Sequence, residues 1–504
     1  MKVFIFLILL VPAVLALDIV AETIKRSKTS DTEACDNFYR HACPLNQTSF
    51  MAQVQLDLKD RFEYLMNEPW NQYHVINDFE NYDNDLEVED LSEVFNKRCS
   101  SDEDTSILLQ YFESLLTYQN GKDLQKSCGG SFCASQLKYE KNCTMATELL
   151  RQELVWHGFP QDLVSSTIIG LSNGRKNLVA SYMLSSPDME SGIELVSSML
   201  EGMKKILIGW VEKTPWVQNN NGVEMLTKIV DSLKLGSHFT EKHENFHEDL
   251  ARIEQTYLTC RQDIGSEDRI DDTFCYTYAV LEKNFPFEKD YSEYVYEFGA
   301  QNGHPNLYFA HPAYLAMHEV GEMAGKIGSI GMVLAHEIGH SVIEDFGRYG
   351  FTQILIPFFS NKSHECIQNT YKKTCEIFAE KPCIYHERQY DDNGADIFGR
   401  ELAYQLFRNV YGDDYDSIYE PLNVTYEQMF FYGLSTTLCE RKLSYINEES
   451  YIESHSPDNI RVNVYTQLPR FRDAFQCSDD SRMVQVVEER CVVYGEGAPE
   501  VRRL

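Results

Sequence analysis

Residues 331–346 read Gly-Met-Val-Leu-Ala-His-Glu-Ile-Gly-His-Ser-Val-Ile-Glu-Asp-Phe, and no other segment constrains the chain as strongly. Met332, Val333, Leu334, Ala335, Ile338 and Val342 surround two histidines four apart, the pattern of a helix that is apolar on most sides and therefore buried. On such a helix His336 and His340 share one face, one turn apart, so both imidazoles can reach a single tetrahedral Zn2+. Glu337 is rotated to a neighbouring position, where a carboxylate can accept a proton from water without itself ligating the metal. The plainer alternative is a buried histidine pair satisfied by hydrogen bonds.

The motif occurs twice. The other copy, His243-Glu244-Asn245-Phe246-His247, is flanked by Glu241, Lys242, Glu248 and Asp249. Those flanks describe a solvent-facing helix, and the metal helix is assigned to the copy at 336. Two histidines leave a third ligand to find, and Gln389 opens the candidate stretch QYDDNGADIFGRELAYQLF. Asp392 and Asp396 are four apart, so on a helix they share a face: one could bind zinc and the other accept the N–H of a ligating histidine. Asp-Asp-Asn-Gly is equally a turn followed by a helix N-cap, and spacing does not choose between the two.

Compartment is read from the first residues and the cysteines. Lys2 precedes an apolar run from Val3 to Leu17, with Val14 and Ala16 at the −3 and −1 places of a cleavage site. Residues 1–16 are expected to be a secretory signal peptide, the alternative being a short uncleaved N-terminal membrane anchor facing outside. Fourteen cysteines, an even number spread through both halves, suit an extracellular chain with up to seven disulfides. Sequons at Asn46, Asn142, Asn361 and Asn423 are expected to carry N-glycans there. The formal net charge is −33 over 504 residues. Such a field repels phosphate backbones and anionic lipid heads, which argues against nucleic-acid binding. Mean hydropathy is −0.37, and no apolar stretch reaches the roughly 20 residues that span a bilayer, so no stable membrane insertion is predicted.

Periodicity of three and four marks helices over Leu108–Leu116, Ile193–Val211 and Met225–Ile229–Leu233. The polar segment Arg261–Asp272 suggests a boundary. The expected division is a helical domain over 17–265 and a metal-binding domain over 275–504.

Several ordered motifs together resemble the neprilysin family of zinc metallopeptidases, which includes endothelin-converting enzyme. Cys35 to Cys43 (CDNFYRHAC) is similar to that family's opening Cys-x-x-Phe-Tyr-x-x-Ala-Cys. Gly328 to His340 is similar to its catalytic helix and lead-in, and Asp392-Asn393-Gly394-Ala395-Asp396 stands where the family has Glu-Asn-x-Ala-Asp. Gln428 to Phe431, Cys439, His455-Ser456-Pro457 with Arg461-Val462, Cys477 and Cys491 to Tyr494 match its later elements. The resemblance implies an α-rich fold, mainly α with a small β-sheet, of the two-lobed zincin (gluzincin) type. It implies one zinc held by His336, His340 and Asp392, with Glu337 as base and Asp396 behind a ligating histidine. His455 would stabilise the oxyanion and Arg461 would bind a substrate carbonyl. Disulfides Cys35–Cys477 and Cys43–Cys439 are implied, and one from Cys491 to Cys366, Cys375 or Cys383.

The chain departs from the family in four places. Asp392 is one methylene shorter than the family's Glu and would fall about 1.5 Å short unless its helix moves closer. Phe298-Gly299-Ala300-Gln301 replaces the Asn-Ala-x-Tyr of the strand that pairs with substrate backbone. The acidic pair after the second histidine is displaced by one residue, leaving Glu344 one turn further along the His336 and His340 face. The N-terminal half is shorter. The functional expectation is a secreted zinc metalloendopeptidase acting on small extracellular peptides; the alternative is a catalytically impaired, peptide-binding extracellular protein of the same fold.

Overall fold

A computed structural model describes residues 19–43, 50–67, 179–180, 183, 187–219, 222–236, 246–264, 293–296, 299–314, 321–343, 361–378, 389–439, 455–465, 468–486 and 490–498. The segments proposed as signal peptide, Leu108–Leu116, Phe298, Glu344, His243, Asn46 and Asn142 lie outside them. The chain divides into two compact units interleaved in sequence. The first gathers Met1–Leu58, Ser186–His238 and Tyr296–Leu504; the second comprises Lys59–Ser185 and Phe239–Val295. In the second, helix Phe246–Ile264 contains His247 and the start of the polar segment read as a boundary. Among the described residues no helix is long and apolar enough to cross a membrane.

The first unit is helix-rich. Its centre is the crossing of two helices, α1 (Met332–Ile343) and α2 (Tyr390–Tyr411). α1 buries ten of its twelve residues, His336 and Glu337 included, as its apolar setting demands. A helical turn, Met323–Lys326, and a π-helical turn, Ile327–Gly331, lead into α1, and such π turns recur at functional sites. Glycine inside a helix costs about 1 kcal/mol against alanine, and close approach explains why two are kept here. A Cβ on Gly399 of α2 would lie 2.9 Å from the main-chain nitrogen of His336, and one on Gly339 of α1 would lie 3.0 Å from Cα of Ala395. With no side chain at either point, the two backbones touch.

A small sheet stands beside α1. Strand β1 (Lys234–Gly236) pairs in parallel with β3 (Asn306–Phe309), and β2 (Ala300–Gly303) pairs antiparallel on the other side. The order β1-β3-β2 leaves β2 at an edge. Ile193–Val211 falls within helix Pro187–Lys213, and Met225 and Ile229 within helix Gly222–Ser232, as their periodicity predicts.

The N-terminal segment is fastened to the rest of this unit. Cys35–Cys477 and Cys43–Cys439 are disulfide-bonded, as the resemblance implied, and Cys491 pairs with Cys366, one of the three partners it left open. Phe38 is fully buried and packs edge-on against Phe471 and Phe475, with ring centroids 5.1 and 5.3 Å apart. Asn463 accepts the Tyr39 N–H at 3.0 Å and donates to Asn37 at 3.2 Å.

Candidate active site

The α1–α2 crossing carries the histidines on one helix and the aspartates on the other. His336 Nε2 and His340 Nε2 are 3.0 Å apart. Asp392 Oδ1 lies 3.6 Å from the first and 3.5 Å from the second. Two ligands of a tetrahedral zinc, each about 2.05 Å from the ion, stand about 3.3 Å apart, so the three separations bracket that edge. His336, His340 and Asp392 form the one group of potential metal ligands of this kind among the described residues. Asp392, although one methylene shorter than a glutamate, stands at that spacing where glycine at 339 and 399 lets α2 approach α1.

The donor chemistry fits a cation as well as the spacing does. His336 donates Nδ1–H to Asp396 Oδ1 at 2.8 Å, which in the neutral imidazole leaves the Nε2 lone pair on the side of His340 and Asp392. A cation shared with His340 and Asp392 fits that arrangement. Asp396 is fully buried and accepts two further bonds from Arg461, Nε to Oδ2 and Nη2 to Oδ1, each 2.8 Å. Burial alone would raise the Asp396 carboxyl, but the Arg461 guanidinium outweighs it and holds the group far below the usual carboxylate range. For Asp392, burial is likewise outweighed by the imidazoles of His336, His340 and His455 set around it, and its pKa is driven down. Burial also lowers His336, yet the neighbouring Asp392 and Asp396 carboxylates leave it raised.

Glu337 behaves differently. It is buried beside the histidines, and desolvation pushes its carboxyl above the ordinary range. A carboxylate whose pKa lies nearer neutrality is a better proton acceptor for water. His455 comes in from a loop whose Ser456 hydroxyl donates to Asn393 at 2.8 Å. Its Nε2 is 3.0 Å from Asp392 Oδ1, its ring is stacked on His336, and its side chain is half exposed. The structure thus gathers His336, Glu337, His340, Asp392, Asp396, His455 and Arg461. Arg461 is placed against Asp396 by both nitrogens named above.

Two neighbours were not legible from sequence. Tyr371, on helix α3 (Asn361–Phe378), donates its hydroxyl to Asp396 Oδ2 at 2.8 Å. Asn302 on the edge strand β2 donates at 2.6 Å both to the Glu337 carbonyl and to Ser341 Oγ. Neither belongs to a spaced motif, so only the fold reveals them.

Residues 316–491 match the model of peptidase family M13. Endothelin-converting enzyme 1 of Cavia porcellus is 28% identical over 169 residues, covering 31% of this chain and 22% of that protein. Membrane metallo-endopeptidase-like 1 of Mus musculus is 27% identical over 179 residues, covering 34% of this chain and 23% of that protein. The match thus spans about a fifth of the length of these curated relatives. Among solved structures, the Haemonchus galactose containing glycoprotein complex superposes with a TM-score of 0.52 at 12% identity, over 94% of this chain and 98% of that one, a likeness of fold. The resemblance to the neprilysin and endothelin-converting enzyme family holds, carried by the M13 segment at 316–491.

Proposed function

We propose that this protein is a secreted zinc metalloendopeptidase that hydrolyses small extracellular peptides. One observation carries the reading: His336, His340 and Asp392 converge at zinc-ligand separations with the buried Glu337 carboxylate beside them. The relatives named endothelin-converting enzyme and metallo-endopeptidase-like supply the peptide substrate class by likeness. His336, His340 and Asp392 would hold one zinc, which when bound supplies the Lewis acidity that brings the ionisation of water near pH 7, about the value usual for such sites. Glu337 would take up the proton of the attacking water, and its raised pKa lets it hold that proton before passing it on. Asp396 fixes the His336 tautomer, and Arg461 keeps Asp396 ionised. His455, beside Asp392 and half exposed, would face charge developing on the substrate carbonyl. Secretion, the cleaved signal at 1–16 and N-glycans at Asn46, Asn142, Asn361 and Asn423 belong to the same proposal. Asn423 is exposed in a turn, where a glycan has room.

A second reading, peptide binding without turnover, is favoured by Arg461, whose Nε and Nη2 are both engaged on Asp396 rather than presented to a substrate carbonyl. The test is hydrolysis of quenched fluorescent peptides by the purified protein, before and after stripping with a zinc chelator. Activity lost on chelation and restored by zinc supports the proposal; no hydrolysis of any peptide by zinc-loaded protein supports the second reading.

A further inference from the structure

Asp396 is a fully buried carboxylate that accepts hydrogen bonds from outside its own helix, two from Arg461 and one from His336, groups already given a role. Another comes from Tyr371. A carboxylate has about four lone-pair positions, so this set fills them. The donors divide the work. His336 and Arg461 Nη2 meet on Oδ1; Arg461 Nε and the Tyr371 hydroxyl meet on Oδ2. Oδ1 holds the histidine, so whatever stops the carboxylate turning about its Cβ–Cγ bond also fixes the direction in which His336 aims Nε2.

We propose that Tyr371 is a positioning residue for the metal: its hydroxyl locks the Asp396 carboxylate and, through it, the imidazole of His336. Tyr371 is built for such a role. It is buried, at 2% exposure. Its helix α3 is fastened near the start by the Cys366–Cys491 disulfide and by the Ser363 hydroxyl on the Val492 carbonyl at 3.1 Å. At the other end, the Phe378 carbonyl accepts from Asn459 at 3.3 Å, and Asn459 sits on the helix, Asp458–Tyr465, that also carries Arg461. The two donors to Oδ2 are therefore held in one frame.

The inference rests on the metal reading of the site. Its test compares zinc affinity, by competition with a chromogenic chelator, in the wild type, Tyr371→Phe, Tyr371→His and Tyr432→Phe. Tyr432 is the control, because its hydroxyl bonds His41 at 2.9 Å and none of the site residues. Tyr371→Phe should weaken zinc binding about tenfold, the lower end of the usual effect of groups that orient a metal's ligands. Tyr371→His, which keeps a ring N–H, should recover part of that loss, and Tyr432→Phe should bind as the wild type does. The visible spectrum of the Co2+-loaded protein should shift in Tyr371→Phe alone, a signature that loss of packing elsewhere would not give. Equal affinity in wild type and Tyr371→Phe overturns the inference while leaving the metal reading intact. Equal weakening in Tyr371→Phe and Tyr432→Phe overturns it as well, since the effect would then be general loosening. A wild type that takes up no zinc overturns both. If Tyr371→Phe does not fold, Tyr371→His decides: affinity within about threefold of wild type supports the donor role, and a tenfold loss overturns it.

Discussion

Replacing Gly399 by alanine should damage the site from a position that touches no ligand side chain. The added Cβ would stand 2.9 Å from His336 N, 2.9 Å from Met332 Cε and 3.1 Å from the carbonyl carbon of Ala335. Met332 can swing away, but the other two atoms are backbone of α1. Carbon contacts are comfortable at about 3.5 Å, so α1 and α2 must part by about 0.5 Å. Metal sites hold their ligand distances to about 0.2 Å, and here the two histidines ride on one helix and Asp392 on the other. Overpacking of this kind costs about 1–3 kcal/mol. Thermal unfolding of the metal-free Gly399→Ala protein should therefore show a lowered midpoint, and chelator competition should show weaker zinc binding than the stability loss alone produces. A variant matching the wild type in both would refute the claim that backbone contact at Gly399 sets the reach of Asp392.

Other outcomes follow from the same geometry. His336→Ala should lose zinc while His243→Ala keeps it, by metal analysis of the purified proteins; equal loss would reassign the metal helix. Asp392→Ala should lose zinc, whereas Asp392→Glu should retain it, since α2 already approaches closely enough for the shorter side chain. Removing the Cys35–Cys477 link, which closes a loop of 442 residues in sequence separation, should cost about 2–5 kcal/mol by denaturant titration, and peptide mapping without reductant should find Cys35 on Cys477. His41 is held below its ordinary pKa by burial, against the opposing pull of the Thr32 carbonyl it faces at 2.8 Å. The unfolded chain then binds the extra proton first, so the neutral His41 contributes stability above about pH 6.5 that is lost as pH falls through that value. His41→Gln should accordingly lose less of its unfolding midpoint than the wild type between about pH 7.5 and pH 5.5.

How much of this was legible in the sequence differs from residue to residue. His336, Glu337 and His340 were readable because helical spacing and an apolar setting are local properties, and both survive in α1. Asp392 and Asp396 were half readable: their spacing placed them on one face, but nothing local separated a ligand from an N-cap. What brings Asp392 to the two histidines and Asp396 behind His336 is the crossing of α1 and α2, a tertiary fact made by Gly339 and Gly399. Two of the disulfides came from the resemblance, because spacing cannot pair fourteen cysteines, and the structure picks Cys366 from the three partners left open for Cys491. Tyr371 and Asn302 were invisible for a physical reason. Each donates a single group across a long sequence separation, 25 residues to Asp396 and 35 to Glu337, and such bonds leave no periodic trace. The placing of Asp392 within 3.6 Å of both histidines shows the converse. Side-chain length is legible in sequence, but the approach of two backbones is not.

With a zinc at the α1–α2 crossing and Glu337 as base, zinc stoichiometry and peptide hydrolysis measured in parallel on the wild type and Glu337→Gln should give one zinc per chain in both. Hydrolysis should be reduced about 10²–10⁴-fold in the glutamine variant, the usual share of a general base. A wild type without zinc, or a Glu337→Gln protein that cleaves peptides at the wild-type rate, would contradict that assignment.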